Sequence, residues 1–218
     1  FATLHNNSLV KKSQVIAGTR IIPLTIKREK IEEVCNQLHK IVSVKPLKSM
    51  QVGIVVTGTE VYNGRITDKF GPILEAKVNQ YGGKLIGIRY APDDVKKIEE
   101  AIHRLIDDGA QIVLTSGGMS VDADDVTPSA IRKVCSNVIT YGSPVLPGAM
   151  FMLAYRDCTT ILGVPACGMY HKITVVDLVF PRILAGEILS KKDIAQMGHG
   201  GLCMNCEFCH FPICPLGK

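Results

Sequence analysis

Residues 111–128 read QIVLTSGGMSVDADDVTP, in which an apolar run gives way to glycines, hydroxyls and carboxylates. The run at 112–114 is typical of a strand that is covered on both faces of a parallel sheet. Thr127 and Pro128 suit the start of a helix, because threonine caps helix N-termini and proline is accepted at the first helical position. The stretch therefore predicts a strand, a glycine-rich loop and a helix in direct succession.

The loop of this stretch carries the first functional hypothesis. Gly117 and Gly118 let the backbone turn sharply and approach a ligand closely, and their N–H groups are hydrogen-bond donors. Further donors are the hydroxyls of Thr115, Ser116 and Ser120, and the carboxylates that follow are Asp122, Asp124 and Asp125. Such donors can hold a phosphate while a carboxylate holds Mg²⁺ or accepts a proton.

A plain strand-to-helix turn, with glycine for shape and aspartate for capping, explains the same composition equally well. The loop lacks the Gly-Lys-Ser/Thr of a Walker loop and the G-x-G-x-x-G of dinucleotide-binding folds. The residues alone therefore predict an oxyanion loop without naming its ligand.

The composition is that of an α/β protein. Hydrophobic residues make up 46% of the 218 residues, aromatic residues only 6%, and there is no Trp. No apolar run approaches the ~20 residues that span a bilayer, and no signal-peptide pattern opens the chain, so we expect a soluble, cytoplasmic protein without membrane partners. Because the chain begins at Phe1 rather than Met, we also expect it to be part of a longer protein.

The positive charge is concentrated in the first part of the chain. Residues 1–48 contain nine Lys/Arg and three Asp/Glu, whereas residues 49–218 contain sixteen and seventeen. A basic segment can meet nucleic acid, but here no aromatic residues are interleaved with the basic ones. The pattern favours a solvated basic surface over a nucleic-acid partner.

Strands alternate with helices between residues 50 and 190, which predicts crossover connections and a parallel sheet with helices on both faces. The predicted helices are Glu29–Val42, Ile66–Tyr81, one capped by Asp93 that ends near Asp108, one over 127–135, and Met169–Gly186 with a kink or break at Pro181. Ligands of such sheets bind beyond the carboxyl ends of the strands, where four loops should converge, 57–64, 115–125, 144–149 and 163–171. The predicted domains are a β/helical segment 1–48, an α/β domain 49–190 and a Cys-rich tail 191–218.

The tail contains the strongest local motif. Cys203, Cys206, Cys209 and Cys214 follow the spacing C-x2-C-x2-C-x4-C. Four thiols this close in a cytosolic chain are more typical of metal ligands than of disulfides. Three cysteines at successive C-x2-C spacing favour a [4Fe–4S] cluster over the alternative, zinc, and an unmetallated or disulfide-bonded tail is the remaining interpretation.

Several motifs together resemble one known family. They are TGTEVYNGRITD at 57–68, YGGKLIGIRYAPDDVKKIEEAI at 81–102, TSGGMSVDADDVTP at 115–128, VLPGAM at 145–150 and LGVPACG at 162–168. Over about residues 50–188 the chain resembles the molybdopterin-binding domain shared by molybdopterin adenylyltransferases, molybdopterin molybdotransferases, gephyrin and competence-damage-inducible proteins. The segment VKKSQVIAGTRIIPL at 10–24 resembles the β-rich segment that precedes this domain in the molybdotransferases.

The resemblance implies a three-layer α/β/α fold that binds molybdopterin, or the complete molybdenum cofactor, by its terminal phosphate. It assigns the phosphate loop to Thr115, Ser116, Gly117, Gly118 and Ser120, with Gly58, Glu60 and Thr127 as further binding residues. It assigns the acidic, catalytic role to Asp125, with Asp68 and Asp93 or Asp94 as helpers that hold Mg²⁺; Asp93 is also explained as a helix cap.

The implied reactions are adenylyl or molybdate transfer on the pterin phosphate, with ATP, AMP or molybdate as partners, in a homo-oligomer. Two loops depart from the family pattern: Asp68-Lys69-Phe70 replaces Asp-Ser-Asn, and Pro165-Ala166-Cys167-Gly168 replaces Pro-Gly-Asn-Pro. Both positions normally contact substrate, which favours an alternative function as a non-catalytic carrier or sensor of the cofactor that docks to a molybdoenzyme through the Cys-rich tail.

Overall fold

The computed structural model describes residues 1–37, 40–120 and 125–217, which form two compact units, 1–46 and 47–217. In the first unit, strand β1 (Ala2–Thr3) pairs antiparallel with β2 (Ala17–Gly18), and helix α1 covers Arg28–Gln37. The helix predicted to reach Val42 is shorter, because residues 40–42 lie outside it, while residues 38 and 39 lie outside the described residues. No residue of α1 is buried.

The second unit contains a six-stranded sheet, whose strand order is β4-β3-β5-β8-β7-β6. Its strands are β3 (Gln51–Thr57), β4 (Lys84–Ala91), β5 (Ile112–Ser116), β6 (Asn137–Tyr141), β7 (Met152–Arg156) and β8 (Thr159–Val164). The first four strands in that order are parallel, whereas β7 runs antiparallel to both β8 and β6. The predicted, mostly parallel sheet is confirmed, and β7 is a strand that the sequence did not predict.

Helices cover both faces of this sheet. They are α2 (Thr59–Tyr62), α3 (Phe70–Gln80), α4 (Val95–Asp107), α5 (Thr127–Val134), a 3₁₀ helix (Ala166–Met169), α6 (Val175–Leu184) and α7 (Lys191–Gln196). On β3, Gly53 lies against Leu105 of α4, whereas Val56 lies against Gly71 of α3. Successive residues of a strand point to opposite faces, so α3 and α4 lie on opposite sides of the sheet. The three-layer α/β/α fold is thereby confirmed.

Two predicted helix starts were too early. Helix α3 begins at Phe70 instead of Ile66, because the Asp68 carboxylate accepts the N–H groups of Phe70 and Gly71 and so caps the helix there. Helix α6 begins only at Val175, where Thr174 forms a capping box, and the 3₁₀ helix at 166–169 is a separate element. The helix is not divided at Pro181, since it continues to Leu184.

A buried ion pair joins α3 to α6. The Lys77 ammonium lies 2.6 Å and 2.8 Å from the two carboxylate oxygens of Asp177, whose side chain is fully buried. The same ammonium donates to the Lys172 carbonyl, and the Tyr81 hydroxyl donates to Asp177. Burial and the neighbouring Asp177 carboxylate raise the pKa of Tyr81, so its phenol remains a donor. These contacts fix the segment that leads from β8 into α6.

The described part of the Cys-rich tail, residues 191–217, belongs to the second compact unit.

The longest helix in the described residues, α4, has 13 residues. Within the described ranges, no helix has the combined length and apolarity that crossing a bilayer requires.

Candidate functional site

The carboxyl ends of β3, β5 and β8 lie side by side, because Val56, Ser116 and Val164 are aligned partners. Met152, at the start of β7, pairs with Gly163 near the end of β8, so the connection from β6 to β7 reaches the same edge. The four loops predicted to converge therefore do so, apart from residues 121–124, which lie outside the described residues.

Thr57, the last residue of β3, joins three elements at this edge. Its hydroxyl donates to the Ser116 carbonyl at 3.0 Å and lies 3.1 Å from the hydroxyl of Thr127, the first residue of α5. A threonine hydroxyl has a single proton, and here the Ser116 carbonyl takes it. Thr127 must therefore be the donor to Thr57, and both hydroxyls are committed to this junction.

The two glycines after β5 fit tightly against these threonines. A Cβ atom on Gly117 would lie 2.3 Å from the Thr57 carbonyl oxygen, and one on Gly118 would lie 2.9 Å from the Thr127 hydroxyl oxygen. Both glycines also have positive φ angles, +87° and +51°. Larger residues are excluded by contact and by backbone conformation together.

The backbone amides of this loop have no acceptor among the described residues. No described residue accepts a hydrogen bond from the backbone N–H groups of residues 117–120. In the described part of the chain, the buried side-chain oxygens without a hydrogen bond are Ser116 Oγ, Asp125 Oδ2 and Glu99 Oε1, the last of which lies 3.3 Å from the Lys133 ammonium. Buried oxygens without a described partner thus lie at Ser116, where the loop begins, and at Asp125, just before α5, and such groups call for an explanation.

Other predicted site residues serve the fold. The Thr115 hydroxyl donates to the Leu162 carbonyl, so it ties β5 to β8. Asp68 caps α3 and also accepts the hydroxyl of Tyr90; burial and this carboxylate raise the pKa of Tyr90. Gly58 has a positive φ angle at the end of β3, and Glu60 is exposed on α2.

The structure corrects the capping assignment of the adjacent acids Asp93 and Asp94. Asp94 is the cap of α4, since its carboxylate accepts the N–H of Lys97 at 3.0 Å. The Asp93 carboxylate instead accepts both the N–H and the hydroxyl of Thr59, at 2.8 Å and 3.0 Å. Asp93 therefore braces the loop after β3, and its assignment as the helix cap was wrong.

The three acids predicted to be catalytic are not gathered. Asp68 and Asp94 bind backbone N–H groups of different helices, and only Asp125 has a buried oxygen without a described partner. Among the described residues, no three His, Cys, Asp or Glu side chains are close enough to hold a metal ion. Mg²⁺ commonly takes one or two carboxylates and completes its shell with water and phosphate oxygens, and Asp125 fits that requirement by itself.

The cysteines of the tail are likewise apart in the described structure. Cys206 and Cys209 are exposed, Cys203 and Cys214 are half-buried, and all four are free. Their loop is nevertheless closed at its ends, where Cys203 donates its N–H to the Leu146 carbonyl and Gly217 donates to the Gly200 carbonyl. The tail thus runs beside the β6–β7 connection.

One residue of the site was not predicted from the sequence. Tyr141, the last residue of β6, donates its hydroxyl to the carbonyl oxygens of Met119 and Ser120, at 3.2 Å and 3.0 Å. Burial raises the pKa of Tyr141, the Arg132 guanidinium lowers it in part, and the Asp125 carboxylate raises it further. The sequence feature that could have indicated Tyr141 is an aromatic residue at the end of a strand, directly before Gly142.

Comparison with known proteins identifies the family. The model of a family described as probable molybdopterin binding domain matches residues 53–185. The chain belongs to this family. This confirms the resemblance drawn from the sequence motifs, and the match includes most of β3, the glycine loop, Tyr141 and all of α6.

Curated relatives match a smaller part. A CinA-like protein of Mycobacterium avium (strain 104) is 35% identical over 97 residues, which are 44% of this chain and 22% of that protein. A CinA-like protein of Mycolicibacterium gilvum (strain PYR-GCK) is 39% identical over 87 residues, 40% of this chain and 21% of that protein. The matched segment spans about a fifth of the length of these relatives.

Solved structures show the same fold. The molybdopterin biosynthesis enzyme MoaB from Thermus thermophilus superposes with a TM-score of 0.53 at 19% identity, over 63% of this chain and 98% of that one. A molybdopterin biosynthesis protein from Mycobacterium abscessus gives 0.52 at 16% identity, again over 63% and 98%. At these identities the likeness concerns the fold of the domain.

Replacing Gly117 by Ala should destabilise the protein, because the new Cβ would meet the Thr57 carbonyl and the residue would be held at a positive φ angle. We expect a loss of about 1–3 kcal/mol in the free energy of unfolding, measured by urea denaturation. Gly87→Ala is the control, since its Cβ would be 3.9 Å from Leu105. Equal stability of the two variants would contradict the close contact at Thr57.

Proposed function

We propose that the glycine loop at 115–120 binds the terminal phosphate of molybdopterin or of the molybdenum cofactor. The observation that carries this proposal is the set of loop N–H groups without a described acceptor, beside the unpaired Ser116 hydroxyl. Preorganised donors of this kind stabilise oxyanions. Family membership supplies the class of ligand, and it supports a role in biosynthesis or insertion of the cofactor.

The chemistry that the site supports best is transfer on the pterin phosphate, either of an adenylyl group from ATP or of molybdate in exchange for AMP. Such reactions concentrate negative charge, which the loop amides and a cation must offset. Asp125 would hold Mg²⁺ through its unpaired oxygen, and the ion would supply charge neutralisation. The proposal places this activity in a cytoplasmic homo-oligomer, with a molybdoenzyme as the recipient of the cofactor.

A carrier or sensor without turnover is the second candidate. The carboxylates of Asp68 and Asp94 are occupied by helix N–H groups, so they supply little to a metal. Phe70 stands at a position where the family has a polar residue, and its ring lies against Gly168, where a Cβ would come within 3.2 Å. An apolar contact therefore replaces substrate-binding groups on this side of the site, which favours holding the pterin over reacting with it.

The purified protein should retain a pterin, which can be measured by fluorescence after denaturation and oxidation. Apoprotein should regain the fluorescent ligand when it is titrated with molybdopterin. Gly117→Ala should lower this retention, whereas Gly87→Ala should leave it unchanged. Absence of pterin from the protein, together with no binding in the titration, would contradict the proposed function.

Replacing Asp125 by Asn should abolish turnover while leaving pterin binding largely intact, because the amide keeps the shape of the side chain but is a poor ligand for Mg²⁺. Turnover is measured as ATP-dependent adenylylation or molybdate-dependent release of AMP, and binding by fluorescence titration. Asp107→Asn, on the exposed surface of α4, is the control. Equal loss of binding and turnover would contradict this division of roles. If the wild-type protein binds pterin but shows no turnover, the second candidate, a carrier or sensor, is the function supported.

We also propose that the loop closed by Gly200 and Gly217 binds a metal through Cys203, Cys206, Cys209 and Cys214. Both ends of this loop are fixed by backbone hydrogen bonds, and the four cysteines between them form no disulfide. Their spacing favours a [4Fe–4S] cluster, with zinc as the alternative.

Protein purified without oxygen should contain iron and absorb in the visible charge-transfer region. Cys206→Ser should lower the metal content, whereas Cys158→Ser, at an exposed cysteine outside the tail, should not. Detection of zinc without iron would show that the tail holds a zinc site instead of a [4Fe–4S] cluster. Absence of both metals would overturn the metal-binding role of the tail.

A further inference from the structure

The glycine loop reaches further across the sheet than a strand-to-helix turn requires. It leaves the sheet at Ser116 on β5, and it is contacted by Tyr141 on β6, which is separated from β5 by β8 and β7. Three steps at about 4.8 Å between neighbouring strands place those strand ends about 14 Å apart. The loop therefore runs along the carboxyl edge of the sheet from β5 toward β6, and the Tyr141 side chain reaches it from that last strand.

Met119 fixes the loop on the way. Its side chain is buried, and a Cβ on Gly163 of β8 would lie 2.4 Å from its terminal methyl group. The same Cβ would lie 3.0 Å from Met152 of β7. Met119 thus occupies space over the ends of β8 and β7 that is left open because residue 163 is a glycine.

Tyr141 holds the far end of the loop. The single proton of its hydroxyl is shared between two successive carbonyl oxygens, those of Met119 and Ser120, and its ring lies 5.2 Å from the guanidinium carbon of Arg132. An irregular register between Val138 and Thr140 precedes it on β6. The ring is therefore held by a cation on one element while its hydroxyl holds the backbone of another.

The geometry of the peptide bond then determines where the Ser120 N–H points. The carbonyl of Met119 and the N–H of Ser120 belong to one trans peptide group, in which the two point in opposite directions. When the Tyr141 hydroxyl holds that carbonyl, the Ser120 N–H must point away from Tyr141. No described residue accepts this N–H.

We propose that Tyr141 is a positioning residue that aims the outer amide of the glycine loop at the phosphate monoester of the ligand. This inference rests on the proposed function, and it assigns the outer part of phosphate recognition to the edge strand β6. Tyr141 acts through the backbone of Ser120 and need not touch the ligand itself.

The test compares Tyr141→Phe with Tyr155→Phe. Tyr155 lies on β7, and its hydroxyl contacts the backbone of Leu189 rather than the glycine loop. Dissociation constants are measured for molybdopterin, for dephosphorylated molybdopterin and for inorganic pyrophosphate. We expect Tyr141→Phe to weaken the two phosphate-bearing probes about 5- to 10-fold, as for loss of one hydrogen bond, and to leave the dephosphorylated pterin unchanged. Tyr155→Phe should change none of the three.

Equal weakening of both pterins by Tyr141→Phe would show a general effect on structure and would overturn the positioning role, as would no change at all. Binding of pyrophosphate without binding of either pterin would overturn the proposed function, and the pyrophosphate affinity of Tyr141→Phe would still decide the role of Tyr141. A wild-type protein that binds none of the three probes would overturn both.

Discussion

The contact between Thr57 and Gly117 is the constraint on which the site depends. A hydrogen in place of a side chain lets the loop pass directly over the end of β3, and the Thr57 hydroxyl then closes the junction onto the Ser116 carbonyl. The space beneath the loop is filled by threonine oxygens that already have partners. Among the described residues no group accepts the loop amides, so within this part of the chain they are available to a ligand or to solvent.

The carboxylates around this junction divide into structural and available groups. Asp68 and Asp94 cap helices and Asp93 braces Thr59, so each has backbone donors that stabilise its charge locally. Asp125 differs, because one of its oxygens is buried without a described partner beside the donor loop. A phosphate with an associated cation would satisfy both the loop amides and Asp125. The amides would donate to the phosphate oxygens, and the carboxylate would bind the cation. A neutral ligand would leave Asp125 unsatisfied.

The layers of the fold and the glycine loop could be predicted from the sequence, because buried parallel strands and helix caps leave local patterns. Strand β7 could not, since its turn to β8 at Asp157 and Cys158 lacks glycine, although Asp157 has a positive φ angle. The cap of α4 was assigned to Asp93 instead of Asp94 because neighbouring aspartates have the same capping propensity. The contact from Tyr141 to Ser120 was missed because it spans two intervening strands, and no local pattern encodes such a distance.

The two sides of the site differ in character, and this difference is where the chain departs from its family. The loop side presents amides, the Ser116 hydroxyl and Asp125, which suit a phosphate. On the other side the buried ring of Phe70 packs against the turn at Gly168, and burial raises the pKa of the adjacent Cys167, so that thiol is neutral at physiological pH. A neutral thiol and a buried aromatic ring supply no charge to offset the charge that develops during group transfer. These groups are what favours the carrier function proposed above, in which the loop would bind the phosphate without turnover.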